Sequence, residues 1–149
     1  MRVLVVIAAL FFSIATARAE PSALETRIST PNLAITFEAP GEENGQRRVV
    51  GWSTSMRQAV ELIGPADQPA RAKLMVDLRP ANATQSRAFL VHALTVLTQG
   101  GDAVALGSFV DGNLSKLRPG QTARTTAGSR AIELTRESDV MATAVVKAK

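Results

Sequence analysis

The first 19 residues predict where the protein is located and how much of the chain remains to fold. Arg2 precedes a predominantly apolar run from Val3 to Ala15, and Ala17-Arg18-Ala19 then forms a small-x-small site. A charged start, an apolar stretch of this length and such a site are the three parts of a secretory signal peptide. We therefore predict that residues 1–19 are removed on export, and that the product is periplasmic or extracellular.

A membrane anchor and a lipoprotein are the two alternatives for this segment. A membrane-spanning helix needs about 20 apolar residues, and here polar sequence follows soon after Ala17. A lipoprotein is processed at a cysteine, and the chain contains none. Both arguments favour a cleaved leader, so we expect no stable membrane insertion after cleavage.

Chain length and cysteine content predict a single domain without covalent cross-links. Taking 19 residues from 149 leaves 130, which is close to the usual size of one domain. A chain of this length buries roughly two-thirds of its unfolded surface, so a hydrophobic core alone suffices. The lack of cysteine also excludes thiol catalysis and zinc sites built on thiolates.

The charge balance argues against a nucleic-acid partner. The whole chain has 17 basic and 13 acidic side chains, and two of the basic ones, Arg2 and Arg18, belong to the leader. The remainder therefore has a net charge of +2. A nucleic-acid-binding domain normally has a dense basic patch or stripe, and we find none.

Residues 20–32 are rich in proline and small polar residues, which predicts a flexible lead-in. Alternating apolar residues in 33–38 then predict a strand with Leu33, Ile35 and Phe37 on its buried side. A second strand, at about 47–52, follows so closely that we expect an antiparallel hairpin.

The middle of the chain is predicted to alternate between helices and strands. Ser55 and Gln58 resemble a capping box, and apolar residues at helical spacing predict a helix over 55–63, ended by Gly64-Pro65. A strand is predicted over 73–79. A longer helix is predicted from Asn82 to Gly100, and its apolar side comprises Leu90, Ala93, Leu94 and Leu97.

The last third of the chain is predicted to be mainly strands. Residues 103–110 are predicted to form a strand, which leaves a parallel crossover unit over 73–110 or an antiparallel arrangement open. Three further strands, at 121–126, 130–136 and 140–147, predict a meander; the first has almost no apolar side chains, so it is either an exposed edge or not a strand at all. The fold class is therefore α+β over residues 33–149, with one mixed or antiparallel sheet of about five to six strands and two helices on one face.

No residue pattern predicts catalysis, a metal site or a cofactor. His92, the only histidine, falls on the polar side of the second predicted helix, and this position is typical of a surface residue. Asp77 ends a buried run, and Arg79 two residues later favours a local ion pair. Asp111-Gly112-Asn113 is predicted to be a turn, because the further acidic ligands of a calcium loop are missing.

Four residues are candidates for binding a ligand or a partner. Trp52 is the only tryptophan, and tryptophan is enriched at interface hot spots. Arg57 follows three hydroxyl residues at the start of the first predicted helix, where an anion could bind. Arg124 and Arg130 flank one predicted turn and could form a cationic rim.

The sequence predicts an exported, non-enzymatic binding or accessory protein of the bacterial envelope, with another envelope protein or a small ligand as its partner. One alternative is a carrier with an apolar cavity between helices and sheet, into which a small ligand fits. The other is a small secreted hydrolase that uses carboxylate or serine chemistry, which requires an acid with a perturbed pKa in a pocket.

Overall fold

The computed structural model describes residues 20–149, so the predicted signal peptide at 1–19 lies outside the described residues. The helices are α1 Ala23–Ile28, α2 Pro80–Leu97 and α3 Ala103–Leu114. The strands are β1 Ile35–Phe37, β2 Gly41–Glu43, β3 Gln46–Ser53, β4 Gln58–Ile63, β5 Arg71–Asp77, β6 Thr122–Ala127, β7 Arg130–Ser138 and β8 Met141–Ala148. No helix in this part of the chain is both long and apolar enough to span a bilayer.

The strands form one antiparallel sheet in the order β1-β3-β4-β5-β8-β7-β6, with β2 paired to the outer part of β3. This confirms the predicted α+β class, with eight strands instead of five to six. The ladder between β5 and β8 runs from Arg71 opposite Lys147 to Asp77 opposite Met141, and it joins the two halves of the sheet.

The core lies between the helices and one face of the sheet. Alternate residues of the central strands are buried on this face, and α2 lies across β5 and β8 while α3 contacts α2 and β7. The strands contribute Val49, Val60, Leu62, Leu74, Val76, Ile132, Leu134 and Val146 to the core. The helices contribute Leu24, Ile28, Phe89, Leu90, Leu94, Leu97, Leu106 and Val110. The predicted apolar side of the second helix is confirmed.

The predicted helix at 55–63 is wrong, because this segment contains strand β4. Met56 has a φ of +57°, which ends any right-handed helix there and places it in the turn after β3. Gln58–Ile63 then pairs with β3 on one side and β5 on the other. A central strand is apolar on both faces, and for a short segment this pattern is easily taken for a helical stripe.

The predicted strand at 103–110 is also wrong, because this segment belongs to α3. The Asp102 side chain accepts hydrogen bonds from the Val104 and Ala105 amides, at 2.9 and 3.2 Å, and caps the helix. The parallel crossover over 73–110 is thereby excluded. The predicted turn at Asp111-Gly112-Asn113 lies inside the same helix.

The segment 20–32, expected to be a flexible lead-in, contains the short helix α1. Ser22 and Glu25 form a capping box at its start, and Leu24 and Ile28 are buried in the core. Glu25 also forms an ion pair with Arg47 of β3, at 2.5 Å. Part of this segment is therefore packed against the domain.

Candidate functional site

The sheet face opposite the helices is covered by no described element, and most of its residues form three cross-strand rows, with the pair Asp77 and Met141 next to the first row. We call this surface the open face. Row one comprises Thr36, Trp52, Ala59, Met75, Thr143, Thr135 and Thr122. Row two comprises Val50, Glu61, Lys73, Val145, Glu133 and Arg124. Row three comprises Arg48, Ile63, Arg71, Lys147, Ala131 and Thr126. The face thus changes from apolar and hydroxyl-bearing residues to basic ones.

A groove of about 360 Å³ lies at the apolar end of the open face. Its apolar lining includes Trp52, Met56, Met75 and Met141 together with Ala59, Val76 and Val140, and we call it the methionine groove. Ala59 lies between Trp52 and Met75 in row one and is only 2 % exposed, because these larger neighbours cover it. The groove collects the only tryptophan and every methionine except Met1.

The turn between β3 and β4 holds Met56 at the mouth of this groove. The Ser53 hydroxyl accepts hydrogen bonds from the Arg57 and Gln58 amides, both at 3.1 Å, and the Met56 amide donates to the Ser53 carbonyl at 2.8 Å. The Met56 side chain is left 66 % exposed. The anion site predicted at a helix start near Arg57 is therefore absent, because the segment is a turn and no helix begins there.

A charged cluster lies at one end of the methionine groove. Asp77 Oδ2 accepts hydrogen bonds from Arg57 Nη1 at 2.8 Å, Arg79 Nη2 at 2.5 Å and Asn82 Nδ2 at 3.0 Å. Asp77 Oδ1 accepts from the Arg79 amide at 2.9 Å. Hydrogen bonds from the Arg79 side chain and amide hold the pKa of Asp77 well below its usual range, and the guanidinium of Arg57 lowers it further. The predicted ion pair with Arg79 is present, and Arg57 is a second partner.

Asp77→Asn is expected to remove part of the acid sensitivity of the fold. Since the folded pKa of Asp77 is lowered, its stabilising contribution is complete above the unfolded pKa of about 3.9 and is lost as the pH falls toward the folded pKa. Urea unfolding between about pH 6 and pH 3 should therefore show a smaller loss of unfolding free energy in the variant than in the wild type.

Asp139→Asn is the matched control for that measurement, because the exposed Asp139 carboxylate makes no hydrogen bond to any residue from 20 to 149. A pH dependence of Asp77→Asn that parallels the wild type would contradict the role assigned to Asp77.

Of the four candidate binding residues, one pair lies in the same groove and the other pair lies on opposite faces of the sheet. Trp52 and Arg57 both line the methionine groove. Arg124 lies in row two of the open face, where it is 3.3 Å from Glu133. Arg130 lies on the helix-covered face, is 6 % exposed and donates to the Pro69 carbonyl at 2.8 Å. The predicted cationic rim of Arg124 and Arg130 is therefore wrong, because the two side chains point to opposite faces.

The remaining ionisable candidates have structural partners. His92 Nε2 lies 2.8 Å from the Arg27 carbonyl and so connects α2 to α1. Asp111 forms a two-bond ion pair with Arg87 on α2, and this pair joins α3 to α2. In the described range, no cluster of three histidine, cysteine, aspartate or glutamate residues could hold a metal ion.

Sequence reasoning did not identify Met75 and Met141 as site residues. Met75 lies within the run that was predicted to be a buried strand, and nothing local indicates that one face of this strand is uncovered. Trp52, Met75 and Met141 lie on β3, β5 and β8 and Met56 lies in the turn after β3, so their grouping follows from the strand order and no local sequence signal indicates it. No protein-family model, curated protein or solved structure matches this chain.

Proposed function

We propose that this chain is an exported, non-enzymatic binding protein that recognises another protein of the envelope through the open face. The observation that carries the proposal is that the helices of residues 20–149 all cover one side of the sheet. The other side presents Trp52 and Met75 half-buried and Met141 41 % exposed. An uncovered apolar surface next to polar residues is typical of an interaction site.

The dimensions of the open face suit a protein partner. Row one crosses seven strands, and each strand occupies about 4.8 Å of the sheet, which gives a width of about 34 Å. Each of the three rows occupies about 7 Å along the strands, which gives a height of about 20 Å. The resulting area of about 700 Å² approaches the roughly 800 Å² that each partner contributes to a standard interface.

The charges of rows two and three indicate what the partner presents. Five basic side chains lie there: Arg48, Lys73, Arg124, Arg71 and Lys147. Two acidic ones, Glu61 and Glu133, face them and bind Arg48, Arg124 and Lys147. Arg71 and Lys73 form no ion pair within the described part of the chain. We infer a partner with acidic groups beside an apolar patch, since such complementarity speeds and orients association.

The position of the groove favours this function over a small-ligand carrier. The carrier requires an apolar cavity between helices and sheet, and in that layer Leu74, Leu90 and Leu94 are fully buried side chains of the core. The methionine groove lies on the opposite side, where methionine side chains adapt readily to a partner's residues.

Replacing both groove methionines of the sheet, Met75→Gln with Met141→Gln, is expected to weaken partner binding about tenfold or more. Glutamine matches methionine in length but adds a polar amide, so apolar contact is lost while the backbone is kept. Proteins retained from envelope extract by the tagged wild-type protein are purified, and their affinities for wild type and variant are measured by calorimetry.

Val104→Gln is the matched control, because Val104 is 78 % exposed on α3 and lies on the helix side. The proposal expects its affinity for the purified partner to equal that of the wild type. Equal binding by the double variant would overturn the proposal. The assignment of the partner would be overturned if the two methionine changes instead weakened binding of the wild-type chain to a second copy of itself or to anionic vesicles, with no separate protein bound.

A further inference from the structure

The charged end of the methionine groove contains more positive than negative charge. Arg57 and Arg79 have side chains that are 37 % and 56 % exposed, whereas that of Asp77 is 9 % exposed. Two guanidinium groups therefore face one carboxylate, and the excess positive charge is on the solvent side, next to the apolar lining.

Hydrogen-bond donors of both arginines remain available there. Arg57 bonds to Asp77 through Nη1, and Arg79 bonds through Nε and Nη2. Arg57 Nε and Nη2 and Arg79 Nη1 make no hydrogen bond to any residue from 20 to 149. Because both side chains bind the same oxygen, Asp77 Oδ2, the two guanidinium groups lie next to each other.

A ligand carboxylate does not readily displace Asp77 from the two arginines, because the Arg79 amide and Asn82 also donate hydrogen bonds to Asp77. It therefore holds the two guanidinium groups in place before any ligand arrives, and such preorganisation reduces the entropic cost of binding. The other acids near this end of the sheet are Glu137, which accepts a hydrogen bond from Thr143 at 2.5 Å, and the exposed Asp139. Neither forms an ion pair with Arg57 or Arg79.

We propose that the methionine groove binds a polypeptide segment of the partner in which an apolar side chain is followed by a carboxylate. This inference rests on the proposed function and names the chemistry of the contact. The apolar side chain lies against Trp52, Met75 and Met141, and the carboxylate accepts hydrogen bonds from the free donors of Arg57 and Arg79. A planar guanidinium matches the two oxygens of a carboxylate, and charged hydrogen bonds of this kind are stronger than neutral ones.

The groove has room for such a segment. Its volume of about 360 Å³ is at the lower end of the roughly 300–1,000 Å³ that enclose small ligands. It therefore suits one or two side chains and a chain terminus, while the remainder of the partner lies over the open face.

Trp52 provides a direct measurement, because it is the only tryptophan of the chain and lines the groove. Its fluorescence is titrated with N-acetyl-Leu-Leu that has a free carboxylate and with the corresponding amide. We expect the acid to bind about tenfold more tightly than the amide, since only the acid offers a charged acceptor. Arg57→Gln should weaken this preference, because only the guanidinium of Arg79 then remains to bind the carboxylate.

Arg124→Gln is the control for general electrostatics, because Arg124 also lies on the open face but away from the groove. It should retain the preference for the acid, and Arg57→Lys should retain more of that preference than Arg57→Gln. Thermal melting of each variant establishes that it is folded. Equal affinities of acid and amide for the wild type would overturn the inference, and so would the lack of any response to both peptides.

The affinity for decanoate tests whether the groove recognises a peptide carboxylate or a fatty acid. If decanoate binds as tightly as the peptide acid, the inference of a polypeptide segment fails. The proposed function is judged separately, by the binding of the purified partner to the Met75→Gln/Met141→Gln variant. The recognition of a carboxylate can therefore be refuted while the open face remains the proposed interface. Equally, the open face can be refuted as the interface while the groove still binds a carboxylate.

Discussion

Leu94→Ala is expected to reduce the free energy of unfolding by about 2–5 kcal/mol. Leu94 lies in α2, is 0 % exposed and belongs to the core between the helices and the sheet. Truncation removes apolar surface from the core and leaves a cavity, because the close-packed neighbours relax only in part. Chemical denaturation followed by far-ultraviolet circular dichroism measures the change.

Val104→Ala is the matched control, because Val104 is in α3 and 78 % exposed. A surface change of this kind is expected to alter the unfolding free energy by less than about 0.5 kcal/mol. A Leu94→Ala variant as stable as the wild type would show that α2 does not pack against the sheet as described.

Gly64→Ala is expected to destabilise the fold by about 2–4 kcal/mol. Gly64 directly follows β4 and has a φ of +114°, and a Cβ atom placed on it would lie 2.6 Å from the Ala70 backbone nitrogen. The clash involves backbone, so a rotamer change cannot relieve it. Because the Gly64 amide also donates to the Arg47 carbonyl at 2.8 Å, the glycine cannot move away without breaking a contact to β3.

Gly120→Ala separates the steric effect from the backbone strain. Gly120 has a φ of +83°, and nothing lies within 4 Å of a Cβ atom built on it. It should therefore cost only about 1–2 kcal/mol, the strain of a left-handed conformation. If the two variants have the same melting temperature, close approach of Ala70 is not what requires glycine at position 64.

Strands with one buried face could be predicted from the sequence, because apolar and polar residues alternate along them. Leu33, Ile35 and Phe37 are buried as the alternation predicted. The last three strands were also predicted, since turns separate them and each has a polar side. Strand β6 lies at the edge of the sheet, where its nearly complete lack of apolar side chains is tolerated.

Segments without polar alternation could not be assigned from the sequence. In β4 both Ala59 on the open face and Val60 on the core face are buried, so the strand has no polar side that distinguishes it from a helix. In α3 the short apolar run from Ala103 to Val110 resembled a strand. The distinguishing signal was Asp102, whose position before that run is typical of a helix cap.

Only part of the candidate site could be predicted from the sequence, because its composition depends on which face of the sheet each residue occupies. Trp52 and Arg57 could be selected by residue type, yet their common groove needs the turn at Met56. For Arg124 and Arg130 the register decides: Ala127 pairs with Arg130, and Arg124 pairs with Glu133. Since faces alternate along a strand, this pairing places the two arginines on opposite sides of the hairpin.

The ladder between β5 and β8 has a consequence for how the chain is made. Strands β3, β4 and β5 are neighbours in sequence as well as in space, whereas the other partner of β5 is β8, Met141–Ala148, which follows only after two helices and two further strands. Until β8 has been synthesised, β5 presents an unpaired and largely apolar edge to other chains. A nascent chain that stalls before residue 141 is therefore open to aggregation, because the two halves of the sheet are not yet joined.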